Sequence, residues 1–246
     1  MANAQTKWMN PTDANEPYIC GRAWNKEMGK SYNRLPQRFK ATVPGRVWGN
    51  STMTAGLTVR FVTTSPNIAV KYVCTSQSYG TFNLSGMVHS GVDLYGKAAD
   101  GKMHWIGNHM RWSMKGDTIT ISFPKLSVPA NRSTEYTLYL PNYNGVKWLA
   151  VVDSKSNFQF MRQSKERPVV IYGSSIIHGA SPSRPGMSIP NIVGREMGFP
   201  LINLGFSGSA YMEPAVFDML GEIDARLFVL DPIPNSNNLP VAEITK

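Results

Sequence analysis

Cysteine is nearly absent, with only Cys20 and Cys74 in 246 residues. Two thiols so far apart in the chain exclude a disulfide scaffold and a cysteine-based metal site, and allow at most one bridge in an exported protein. Histidine is scarce too, limited to His89, His104, His109 and His178. No run of about 18 apolar residues occurs, which excludes a membrane-spanning helix. Acidic residues number 16 against 25 basic ones, and the imbalance is uneven: residues 1–167 carry a net +12, residues 168–246 a net −3. In the first part the basic side chains stand singly, as in Arg22, Lys26, Lys30, Arg34 and Arg38, and no nucleic-acid module accompanies them. A solvated basic face, not a nucleic-acid partner, is the expectation.

A chain of this length with 42% hydrophobic residues can bury two modest cores. Ala2-Asn3-Ala4 resembles the small-residue end of a secretory signal whose charged and apolar regions are absent, suggesting export to the periplasm or outside the cell; an ordinary frayed terminus is the alternative.

From about residue 40 to 153, short runs alternate apolar and polar: "GLTVRFVT" (56–63), "NIAVKYVCT" (67–75), "DTITISF" (117–123), "EYTLYLP" (135–141) and "KWLAVV" (147–152). This is strand periodicity, with Leu57, Val59 and Phe61 on one face of the first run and Ile68, Val70 and Tyr72 on one face of the second. Turn formers between the runs point to an antiparallel sandwich over residues 1–160. "SKSNFQFMRQSKERP" (154–168) has the composition of a connection between domains.

After Pro168 the pattern changes. "VVIY" is a continuous apolar run suited to a strand buried on both faces, and "PLINLGF" and "ARLFVLD" repeat it. Between them "SIPNIVGREMG", with Gly198 as a stop, and "EPAVFDMLGEI", with Glu213 and Pro214 opening a first turn, read as helices. Strand, helix, strand, helix, strand implies a parallel sheet over 168–246, whose reactive groups collect where strands end.

Gly173-Ser174-Ser175 therefore sits at the carboxyl end of a strand. A serine there can be a nucleophile, provided a base and donors for the resulting oxyanion are at hand, or it can be a helix cap. The stretch lacks the lysine of a phosphate loop and the three-glycine spacing of a dinucleotide turn. The next two strands end in "INLGFSG" (202–208) and "VLDPIPN" (229–235), placing a glycine and an asparagine at neighbouring strand ends.

With "NRLP" (33–36), "GVDLYGK" (91–97), "SRPGM" (183–187) and "NLGFSG" (203–208), the chain resembles the SGNH (GDSL-type) hydrolases of the subgroup that carries an N-terminal β-sandwich marked Gly-x-Asp-Leu-Tyr, here Gly91 to Tyr95. The resemblance implies a jelly-roll-like antiparallel sandwich followed by an incomplete α/β domain, a three-stranded parallel sheet in a flavodoxin-like three-layer arrangement. It implies a serine esterase acting through an acyl-serine on a small-molecule or saccharide ester. Ser175 would be the nucleophile, in a block where Gly-Ser-Ser-Ile replaces Gly-Asp-Ser-Leu. The oxyanion donors would be the Ser175 N–H, the Gly208 N–H and the Asn235 side-chain amide, with Asn203 bracing the second loop. No metal or organic cofactor is implied, and the oligomeric state stays open.

The family's Asp-x-x-His pair, the base and its orienter, does not follow Asn235. Residues 168–246 supply three strands and two helices, whereas a doubly wound domain usually has about five strands and more than 100 residues, so a C-terminally truncated hydrolase is expected. His178 could stand in only if it approached the hydroxyl from the substrate side. All six Trp lie before residue 150, where exposed rings could stack on sugars or simply fill cores. Asp93 could likewise just bond a turn while Leu94 and Tyr95 pack. A non-catalytic glycan-binding or interaction protein that has kept the fold is the alternative to the enzyme.

Overall fold

The computed structural model describes residues 7–108, 111–128, 132–153, 157–236 and 240. Ala2-Asn3-Ala4 and His109 lie outside the described residues. The first part contains strands β1 (Ile19–Cys20), β2 (Thr58–Thr63), β3 (Ile68–Cys74), β4 (Asp93–Lys97), β5 (Met103–Gly107), β6 (Arg111–Lys115), β7 (Thr118–Phe123), β8 (Thr134–Tyr139), β9 (Val146–Asp153) and β10 (Gln159–Met161). Short helices α1 (Asn25–Met28), α2 (Gly45–Ser51) and α3 (Gly86–Ser90) interrupt them. One sheet runs β1-β2-β8-β4-β5, with β10 also paired to β2, and the other runs β6-β7-β3-β9. Every pairing between these strands is antiparallel. The expected alternation holds: Leu57, Val59 and Phe61 meet Ile68, Val70 and Tyr72 in the core between the sheets. The expected connection at 154–168 is partly structured, because β10 adds to the edge of β2.

The second part forms β11 (Val169–Gly173), α4 (Ser175–His178), α5 (Ile189–Met197), β12 (Leu201–Gly205), α6 (Pro214–Leu220), β13 (Leu227–Asp231) and α7 (Ile233–Ser236). The three strands are parallel in the order β12-β11-β13. Gly198 ends α5 in the left-handed region, φ +70°, and Glu213 with Pro214 opens α6 as read from the sequence. β11 is buried on both faces. β13 departs from that pattern: it is an edge strand, and Leu227, Phe228, Val229 and Leu230 keep 38–51% of their surface exposed.

One face of the parallel sheet, Val170, Tyr172, Ile202 and Leu204, packs against α6 and against Trp24, Met28, Leu35, Phe39, Val43 and Val47 from the N-terminal segment. Each such large apolar side chain contributes about 1.5–3 kcal/mol on burial, so most of the apolar side chains of residues 24–47 belong to the second core, while Tyr32 joins that of the sandwich. The expected solvated basic face holds for Lys26, Lys30 and Arg38, which are exposed, but is corrected for Arg22 and Arg34, each only 1% exposed. The reason is that the backbone carbonyls of Ser31, for Arg22, and of Asn50, Met53, Asn203 and Gly205, for Arg34, accept from the guanidinium groups. Cys20 and Cys74 are free and buried, and burial pushes the Cys20 thiol up to about 11. No helix among the described residues is long and apolar enough to cross a membrane.

The two parts are joined at the Gly-x-Asp-Leu-Tyr motif. Asp93 is fully buried and accepts the Trp105 indole N–H at 2.7 Å and the Gly186 N–H at 3.0 Å, while Arg184 Nε lies 3.3 Å from the same carboxylate. The Arg184 guanidinium covers the Trp105 ring at 4.3 Å, and Arg195 covers Tyr95 at 4.3 Å while donating to the Gly186 carbonyl at 2.6 Å. Gly186 is obligatory, since a Cβ there would stand 2.5 Å from the Tyr95 ring and 2.6 Å from Asp93 Oδ2. Asp93 thus bonds a turn and Tyr95 packs. The turn belongs to "SRPGM", so two motifs distant in sequence form one contact.

Burial outweighs these partners and raises the Asp93 carboxyl from 3.8 to about 6. Its folded-state value lies above its unfolded one, so the contribution is fully present below about pH 4 and is lost as the pH rises through about 6, by up to about 3 kcal/mol. Urea denaturation at pH 4, 5, 6 and 7 should show this decline in the wild type and not in Asp93→Asn. Parallel profiles for the two proteins would remove Asp93 as its source.

Candidate active site

The register of the parallel sheet sets Gly173 beside Gly205 on one side and Asp231 on the other. Three connections therefore leave the same edge of the sheet, and Ser175, Gly208 and Asn235 lie on them two, three and four residues after the aligned positions. α4 crosses these strand ends closely: a Cβ on Gly205 would meet the His178 nitrogen at 2.1 Å, and one on Gly173 would meet Ile177 at 2.5 Å. This is why an apolar strand breaks on Gly-Ser-Ser, since bulkier residues would push the helix off the sheet.

Ser174 is extended at the cap position of α4, yet its hydroxyl makes no capping bond and, among the described residues, has no partner while fully buried. Ser175 is the first helical residue and half-buried. Its carbonyl accepts from Gly179, Ala180 and, at 3.3 Å, the Tyr143 hydroxyl, whereas its own N–H belongs to the first turn, whose amides lack intrahelical partners. The capping explanation of the two serines is therefore not realised. A half-exposed hydroxyl beside a free helix-start amide suits attack on a carbonyl and reception of the resulting negative charge.

Loop 206–212 carries unusual backbone. Gly208 has φ +64°, and Ala210 and Met212, which are not glycine, have φ +69° and +63°. Such conformations cost free energy and persist where neighbours impose them. The Met212 N–H donates to the Tyr172 hydroxyl at 3.1 Å, which donates to Glu213 at 2.8 Å. Asn203 is buried and bonds both ways, its amide to the Ile177 carbonyl at 2.9 Å and its oxygen from the Gly205 N–H at 2.8 Å, which ties α4 to the end of β12. Asn235 reaches across from α7 and donates to the Ser209 carbonyl. An amide has two N–H groups, so one remains for a ligand.

His178 is not poised as a base. Nε2 lies 2.8 Å from the Asn142 carbonyl, Nδ1 lies 3.2 Å from the Ser207 N–H, and the ring stacks on Tyr143 at 4.3 Å. That network requires a neutral ring with the proton on Nε2. Burial first, and the nearby Arg34 charge second, hold its pKa well below 6.5. Asn142 also donates to the Gly179 carbonyl at 3.1 Å, so the β8–β9 connection of the sandwich grips α4 from beneath. Nothing in the spacing of Asn142 and Tyr143 announces this role. His89 lies 2.7 Å from its neighbour Ser90, and the exposed His104 pairs with Asp100 at 2.8 Å.

A cleft of about 660 Å³ lies elsewhere, between the outer face of the larger sandwich sheet and α5, and none of Ser175, Gly208 and Asn235 lines it. The surface near Ser175 is open instead, with Ile176, Tyr211, Met212 and Ile233 exposed on the same connections. Trp24 is buried in the second core and Trp48 packs against it, Lys71 covers Trp8, and Arg184 covers Trp105, while Trp105 and Trp148 keep 50% and 38% of their surface exposed.

Comparison with known proteins matches residues 6–158 to the GxDLY N-terminal domain of SGNH-hydrolase-type esterases and residues 166–246 to the GDSL-like lipase/acylhydrolase family. A crystal structure from Bacteroides ovatus, described as a GDSL-like lipase, superposes with a TM-score of 0.82 at 31% identity, covering 98% of this chain and 69% of that one. The salicylyl-acyltransferase SsfX3 of a tetracycline biosynthetic pathway shares the fold at TM-score 0.66 and 17% identity, covering 92% of this chain and 62% of that one. No curated protein matches the chain at a significant level.

Two substitutions test the construction of this region. Gly205→Ala should cost about 3 kcal/mol, because the new methyl meets backbone that cannot swing aside; an unchanged urea midpoint would contradict the close crossing of α4. His178, whose folded value is depressed, contributes stability above about pH 6.5 that is lost as the pH falls toward its folded value. Melting temperatures of the wild type should therefore drop between pH 7 and pH 5 relative to His178→Phe, and a constant difference would show a ring that is not held neutral.

Proposed function

Because the chain belongs to the SGNH-hydrolase-type esterases, with a GxDLY domain followed by a GDSL-like domain, we propose that it carries the nucleophile and oxyanion donors of a serine esterase. The observation that carries this reading is the alignment of Gly173, Gly205 and Asp231, from which Ser175, Gly208 and Asn235 depart on adjoining connections. The Asn235 bond to Ser209, the neighbour of Gly208, supports convergence of two of those connections.

In this reading Ser175 Oγ attacks the ester carbonyl carbon and gives up its proton to solvent water. The carbonyl electrons move onto oxygen, which the Ser175 N–H, the Gly208 N–H and the free N–H of Asn235 receive. Collapse of that intermediate expels the alcohol, which takes a proton, and water then releases the acid from the acyl-serine. His178, the histidine nearest Ser175 in sequence, is not free to accept the serine proton, since both its ring nitrogens are bonded elsewhere. The chain's own share is thus attack and charge stabilisation, which by analogy with triad knockouts leaves roughly 10³-fold acceleration over water.

The substrate class is an acyl ester, a short acyl group such as acetyl on a saccharide. The open surface around Ser175 suits a bulky alcohol portion, and the exposed Tyr211 ring offers a face to a sugar. Release of p-nitrophenol from p-nitrophenyl acetate should be slow but faster in the wild type than in Ser175→Ala. Equal rates would remove Ser175 as the nucleophile and leave a protein that has the fold without the chemistry.

A further inference from the structure

Loop 205–209 has an almost complete hydrogen-bond account. The Gly205 carbonyl accepts from Arg34 at 2.9 Å, Phe206 from the Ser209 N–H at 3.0 Å, Ser207 from the Asn50 amide at 2.9 Å and Gly208 from Arg46 at 3.1 Å, while Ser209 accepts from Asn235. On the donor side, the Gly205 N–H goes to Asn203, Phe206 to the Gly173 carbonyl at 2.8 Å, Ser207 to His178 and Ser209 to Phe206. Within residues 205–209, the Gly208 N–H is the one donor with no acceptor among the described residues. Gly208 is only partly buried, so its N–H is open to a ligand while every other backbone group of residues 205–209 is already bonded within the protein.

The clamps come from the N-terminal segment, not from the domain that carries the loop. Arg34 is buried without a carboxylate partner and spends its fork on four carbonyls, Met53 at 3.1 Å, Asn50 at 2.8 Å, Asn203 at 3.1 Å and Gly205. A guanidinium can hold several carbonyls in one plane, which an ammonium cannot. Burial of this cation is costly and lowers its pKa to about 9. Arg46 and Asn50 lie on α2, and Arg46 crowds Gly208 so closely that a Cβ there would come within 2.6 Å of its Nη1.

We infer that Arg34, Asn50 and Arg46 are positioning residues for acyl transfer: by turning the carbonyls of residues 205, 207 and 208 inward they hold the Gly208 N–H outward as an oxyanion donor. The inference rests on the reading of Ser175 and Gly208 given above. It makes the N-terminal segment part of the catalytic apparatus, acting through the loop and not by touching substrate.

The test uses the full chain and a fluorophosphonate, in which the Ser175 oxygen bonds to phosphorus, fluoride departs, the serine proton passes to solvent, and the phosphonyl oxygen occupies the place of the oxyanion. Labelling followed by intact mass separates kinact from KI. Asn50→Ala and Arg46→Ala should lower kinact about 10-fold, and Arg34→Lys about 100-fold, with KI unchanged. A merely structural role would lower the melting temperature and leave kinact alone. Because Arg34→Lys can fail to fold, the two α2 variants carry the decision, together with hydrogen exchange of the Phe206, Ser207 and Ser209 amides, which should quicken in both. Should Ser175→Ala label as fast as the wild type, the nucleophile assignment fails and exchange alone judges the clamp. Unchanged exchange in both α2 variants overturns the inference, as does unchanged kinact where labelling depends on Ser175.

Discussion

Parallel pairing of β11 with β12 and β13 is the constraint from which the candidate site follows. A parallel ladder makes the three strands end together, and the register puts Gly173, Gly205 and Asp231 abreast. Each connection then has only a few residues before it must turn into a helix or loop, so its first side chains and amides project over one edge of the sheet. Gly205 and Gly173 let α4 settle directly onto that edge. Ser175 is placed by this stacking, and the burial of Ser174 beneath it shows how little room the turn leaves.

That edge would be poorly ordered if only the α/β part held it. Contacts from outside the part do much of the holding: Asn142 and Tyr143 grip α4 from the sandwich, Asp93 fixes the turn at Gly186, and Arg34, Arg46 and Asn50 hold the loop after β12. Polar contacts dominate this list because they must orient backbone, and orientation is what hydrogen bonds add to burial. The apolar share comes from Trp24 to Val47, which cover one face of the parallel sheet.

The elements were largely legible in the sequence, and the traffic between them was not. Alternation announced β2, β3 and β7 because a two-layer sandwich imposes period two on each strand. Continuous apolar runs announced β11 and β12 because helices or loops cover both faces. The "NRLP" segment was legible only as part of a resemblance: Arg34 looks like any other isolated basic residue until the carbonyls it meets, from residues 50 to 205, are brought around it. His178 was ambiguous for the same reason. Proximity to Ser175 in sequence suggested a base, whereas the partners that lock its ring lie on the β8–β9 connection and the loop after β12. The exposed β13 run shows the opposite limit, since composition reports what a strand can bury and not what is present to cover it.

Charge ties these observations together. His178 sits fully buried, which is the main reason its imidazole stays neutral; the nearby Arg34 guanidinium adds to the effect, and the ring serves as an acceptor for the Ser207 N–H. That acceptor role removes one more amide from the set that could point at a ligand. Burial is the larger cause of the neutral ring and the Arg34 charge the second, and the same guanidinium binds the Asn203 and Gly205 carbonyls at the end of β12. A neutral polar residue at position 34 could satisfy one or two carbonyls but would relieve the electrostatic pressure on His178. A lysine would keep the pressure and lose the planar fork. Arginine is the side chain that meets both requirements.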